Sequence, residues 1–116
     1  MSNYVPLHRK GNTVVEINGA RLPRGFAISG ATPSRNDTVR VTLYQTVIVE
    51  VHEGKLTLDT GGYATVTTRA RMNQFLRDYL DAAFTVGVTR GQMYLTPKGH
   101  NVGIPFDRRI TVDLIN

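Results

Sequence analysis

The chain has 116 residues, the size of one domain spanning residues 1–116, with no room for a second core. Its 41% hydrophobic and 20% charged content excludes a disordered chain, and no stretch approaches the ~20 apolar residues of a membrane helix. Fourteen basic residues against nine acidic ones give a net charge of +5; with no cysteine, disulfides, thiolate metal sites and cysteine nucleophiles are excluded.

Residues 1–40 hold much of the basic excess, including Arg9, Lys10, Arg21 and Arg24, against only Glu16 and Asp37. Prolines and glycines interrupt short apolar pieces such as Val14–Ile17 and Phe26–Ile28, so one or two short strands joined by turns are expected. Residues 1–12 fit either a folded basic loop or a mobile basic arm, and they lack the apolar run of a secretory signal. From Val39 to Val51 the odd positions are apolar except Gln45, and the even ones are mostly polar. That period of two predicts strand with one buried face. The length predicts a bend near Gln45. Glu53-Gly54 then reverses the chain into Lys55–Leu58.

At Met72, Phe75, Leu76, Tyr79, Leu80 and Ala83 the period changes to that of one helical face, which predicts a helix within about residues 68–84. Thr67 or Thr68 is the expected N-cap. Phe75, Leu76, Tyr79 and Leu80 are expected to face Val47 and Val49. Further strands follow, with turns at Arg90-Gly91 and Pro97–Gly99. The expected class is therefore α+β, an antiparallel sheet with one amphipathic helix packed on a face. An exposed edge strand makes a homodimer one possible assembly.

The segment Leu58 to Asn73 links the hairpin to the helix. Asp59 and Thr60 suit local bonds to backbone amides, and Gly61-Gly62 permits positive φ or a small anion nest. In Leu58-Asp59-Thr60-Gly61-Gly62-Tyr63, Thr65, Thr67-Thr68-Arg69 and Arg71-Met72-Asn73 the chain resembles a group of small bacteriophage proteins. The resemblance implies a phage setting and brings no established activity. Arg69 and Arg71 fall in the first turn of the expected helix, where the macrodipole prefers acids, and Asp78 and Asp81 fall toward its end. Charges set against the dipole suggest an anion grip. The plainer account has Arg77 pairing with Asp81 and the other arginines pairing elsewhere.

Asp59-Thr60-Gly61 matches the triplet of aspartic proteases, but a helix follows it where a flap hairpin belongs. His8, His52 and His100 are scattered without metal-ligand spacing, and no nucleotide-binding fingerprint is present. No catalytic residue, metal or cofactor is therefore expected. Tyr44 and Tyr63 are the better candidates for base stacking, while Phe106 reads as core.

The leading expectation is a phage accessory protein in the host cytoplasm that binds nucleic acid. Its contacts would come from Arg69, Arg71, Tyr63, Gly61, Gly62 and the basic set Arg9, Lys10, Arg21 and Arg24. The alternative is a protein-binding inhibitor of a host enzyme or antiviral defence complex. A structural virion component and a homodimeric aspartic protease rank lower.

Overall fold

The computed structural model describes residues 4–22 and 37–114; Arg24 and the Phe26–Ile28 piece lie outside these. A 3₁₀ turn at Leu7–Arg9 precedes β1 (Thr13–Ile17), β2 (Ala20–Arg21), β3 (Val39–Leu43), β4 (Thr46–His52) and β5 (Lys55–Asp59). Helix α1 (Val66–Leu80) follows, then β6 (Phe84–Thr89), β7 (Gln92–Pro97), β8 (Ile104–Phe106) and β9 (Arg109–Asp113). The strands form two sheets, one ordered β2-β1-β3-β4-β5-β9 and one ordered β6-β7-β8. Every pairing is antiparallel. The class is α+β, as the two periods in the sequence require.

Three hairpins turn on a residue followed by glycine, both at positive φ: Asn18-Gly19, Glu53-Gly54 and Arg90-Gly91. Such pairs match the twist of the flanking strands. The turn between β3 and β4 lacks this signature. Residues 39–51, expected as one bent strand, are instead two strands reversed at Tyr44-Gln45, with Leu43 opposite Thr46.

Two changes of face hide this reversal. The two-residue turn puts both Leu43 and Thr46 on the core side, shifting the inward series from odd to even numbers. Val41 then pairs with Val49 and Thr42 with Val47, so Ile48 is an extra residue in a β-bulge. The bulge restores the odd series at Val49 and Val51. Val47, expected inside, is 41% exposed, and Ile48 takes the buried place.

Helix α1 starts earlier and stops earlier than expected. The N-cap is Thr65, whose side chain accepts the Thr68 N–H at 3.1 Å, not Thr67 or Thr68. Asp81 and Ala82 both adopt positive φ, which ends the helix before Ala83 and lets the Ala82 N–H reach the Leu76 carbonyl at 2.7 Å. Met72, Phe75, Leu76 and Tyr79 are buried with Val39, Val41, Val49, Leu56 and Leu58 of the larger sheet. Val86, Met93, Leu95 and Phe106 of the smaller sheet complete the same core. The Asn73 side chain fastens α1 to β6, donating to the Val86 carbonyl (2.9 Å) and accepting the Val86 N–H (2.8 Å).

The other flank of α1 carries the start of the chain. The Tyr4 hydroxyl donates to Asp78 at 2.7 Å, Gln74 donates to the Val5 carbonyl at 2.7 Å, and Leu7 is 1% exposed. Bonding to the Asp78 carboxylate raises the Tyr4 pKa. Among the described residues no helix is long and apolar enough to cross a membrane.

Candidate functional site

Most of the segment from Asp59 to Asn73 is explained by the fold. Asp59 accepts the Gly61 N–H at 2.7 Å and faces Arg108 at 3.3 Å. Thr60 accepts the Gly62 N–H through its hydroxyl, and the Tyr63 N–H through its carbonyl. Both glycines have positive φ, and a Cβ on Gly61 would lie 2.6 Å from the Thr46 methyl group. Gly61 lets the loop approach the β3–β4 turn, and the amides of both glycines are already donated, so the expected anion nest is filled by the protein's own side chains. Thr65 and Thr68 share the cap, with hydroxyls 3.0 Å apart, while Met72 is core and Asn73 is the tie to β6.

The fold gives no role to the side chains of Tyr63 and Val66, which are 71% and 72% exposed. Across from Tyr63 stands Tyr44, 70% exposed. The two rings flank a cleft of about 780 Å³ between the Tyr44-Gln45 turn and the Thr60–Thr68 stretch. Thr46, Thr60, Thr65, Thr67 and Thr68 line it together with Leu43 and Ile48.

Tyr44 is held in the left-handed region at φ 57°. That region costs an L-residue roughly 1–2 kcal/mol and is normally left to glycine, asparagine or aspartate. The Tyr44 N–H is anchored on the Asn12 carbonyl at 2.8 Å. Glu53 and Arg90 take the same region at their turns, but each is followed by a glycine, whereas Tyr44 is followed by Gln45.

The candidate arginines do not share a face. Residues two positions apart on a helix point about 200° from one another around its axis. Arg69 donates to the Ala64 carbonyl at 3.1 Å, beside Tyr63. Arg71, in the second turn, donates to the Thr13 hydroxyl at 3.0 Å. Thr13 in turn bonds the Lys10 carbonyl through its N–H, so Arg71 joins the Arg9–Asn12 loop that also holds Tyr44. Arg21 lies elsewhere, in an edge-strand row Arg21–Glu16–Arg40–Glu50 of alternating charge.

The ion pairs are spread unevenly. Arg40, Lys55, Lys98 and Arg108 each have a carboxylate within 4.0 Å. Asp81 pairs with Lys98, not with Arg77. Among the described residues Arg9, Lys10, Arg21, Arg69, Arg71, Arg77, Arg90 and Arg109 belong to no ion pair. Of these, Arg69 is tied to the cleft's border through Ala64, and Arg71 through Thr13 to the Arg9–Asn12 loop that anchors Tyr44, while among the described residues no arginine or lysine lines the cleft itself.

Sequence reasoning placed Tyr44 on a strand face and missed its position at a turn, because neither Tyr nor Gln signals one. A family model described as Kyanoviridae Gp96 protein matches residues 28–113. No curated protein and no solved structure gives a significant match.

Proposed function

The chain belongs to the Kyanoviridae Gp96 protein family, and on that premise of a bacteriophage protein we propose that it binds single-stranded nucleic acid in the host cytoplasm. The observation that carries this reading is the pair of exposed tyrosines flanking one cleft, one of them kept at an unfavourable φ. Unpaired bases of any sequence stack on such rings. The interior, lined by threonines with Leu43 and Ile48, takes an uncharged base, while Arg71, Lys10, Arg9 and Arg69 outside the cleft neutralise phosphates. A base paired in a duplex does not present its face to the cleft.

A second reading has one observation in its favour. Val66, as exposed as the tyrosines, extends the patch with an aliphatic side chain, and tyrosine and arginine are the common anchors of protein interfaces. On this reading the surface engages a host enzyme or defence complex and inhibits it. Titration of labelled single strands and matched duplexes at low salt decides between the two. Single strands held at micromolar protein, more tightly than duplex, support the first. Failure to bind any DNA or RNA transfers the cleft to a protein partner.

A further inference from the structure

We propose that β9 is a self-complementary edge at which two copies of this chain pair antiparallel about Thr111, joining their larger sheets into one.

Among the described residues strand β9 closes the larger sheet and pairs only with β5. The Thr60 N–H bonds the Arg108 carbonyl and the Leu114 N–H bonds the Gly54 carbonyl. By the alternation of antiparallel ladders, even-numbered residues of β9 turn their backbone groups to β5. Arg109, Thr111 and Asp113 therefore present theirs outward, as an open ladder ready for another strand.

Single-sign charge on such an edge would repel a second copy. Here the two charges are opposite and placed symmetrically about the centre. Antiparallel pairing about Thr111 sets Arg109 against Asp113 of the other copy at both ends, and Thr111 against Thr111. It uses the three outward residues and no others. The rows behind also agree. Lys55 lies opposite Asp113 within the chain, with its ammonium 2.6 Å from the carboxylate, and Asp59 lies opposite Arg109. Each row across the junction would run Lys55, Asp113, then Arg109 and Asp59 of the other copy, with no like charges adjacent. A slip of two residues in either direction breaks this order.

The inner face points the same way. Ile110, Val112 and Leu114 pack against the core but remain only partly buried. In the proposed register Ile110 meets Val112 of the other copy twice, and the margin of the core is closed. This edge is separate from the tyrosine cleft and does not depend on what the cleft binds.

The test is sedimentation of the full chain from micromolar to submillimolar concentration at low salt. The wild type should show a concentration-dependent dimer. Arg109→Asp sets acid against acid and Asp113→Arg sets base against base, so each alone should weaken the dimer at least about tenfold. An equal mixture of the two variants restores both opposite-charge pairs, and should recover dimer as a heterodimer. Thr111→Pro removes one outward N–H and leaves every backbone bond to β5, losing there only the exposed hydroxyl contact with Thr57, so it should also give monomer while circular dichroism stays unchanged. A wild type monomeric throughout, a dimer indifferent to these changes, or a mixture that stays monomeric would each overturn the proposal.

Discussion

Tyr44 is where residue-scale energetics and function part company. Its φ of 57° is a local cost that asparagine largely avoids, so Tyr44→Asn should leave stability unchanged or raise it by up to ~1 kcal/mol. The same change removes one ring of the cleft. Single-strand binding should then weaken by ~1–3 kcal/mol, and Tyr63→Ala should match it. A denaturant melt and a binding titration on the same preparations read both quantities. Loss of stability with unchanged binding would make the ring structural. None of this was legible from residues 39–51, whose alternation hides the turn. The meeting of Tyr44 with Tyr63 depends on a tertiary contact, the seat of Gly61 on Thr46.

At the scale of elements, the helix was the most legible part, because its apolar period of 3.6 survives any choice of ends. Its ends were not legible. Thr65, Thr67 and Thr68 can all cap, and Asp81-Ala82 carries no glycine to announce a stop. The motif residues Met72 and Asn73 prove to be structural. Leu76→Ala should cost ~2–5 kcal/mol, since its side chain is 1% exposed. Asn73→Ala should cost ~1–3 kcal/mol, because it strips both backbone partners from Val86. Hydrogen exchange should report the second change at the Val86 amide before it spreads to β4. A cost below half a kilocalorie for Leu76→Ala, in a melt, would contradict the packing of α1.

Across the whole molecule, composition announced an excess of positive charge without saying where it lies. Ion pairing alone does not locate it, since among the described residues Arg21, Arg77, Arg90 and Arg109 stand outside any ion pair too. Arg69, Arg71, Arg9 and Lys10 are set apart by their links to the cleft's border through Ala64 and the Arg9–Asn12 loop. If these cations meet phosphates, affinity for single strands should fall linearly in log–log salt plots. Each contact removed should lower the slope by about 0.7. Arg71→Ala and Lys10→Ala should each do so and weaken all sequences alike, because phosphate contacts position without specifying. Arg21→Ala is the internal control, since its row on the sheet sets it apart from the cleft. An equal loss of slope for Arg21→Ala would move the binding surface to the outer face of the sheet.

The bulge at Ile48 also governs which changes of chain length the fold can absorb. Removing Ile48 alone leaves Val49 opposite Val41 and Val51 opposite Val39, so the hairpin becomes regular and every later residue keeps its side. The loss is confined to one buried side chain and the local bend. Removing Glu50 instead turns Val51 outward and His52 inward, and so sets the strand against its own core. Deletion scanning of β4 should therefore find position 48 more tolerant than position 50. Relatives one residue shorter in this hairpin should have lost the bulge and kept the turn.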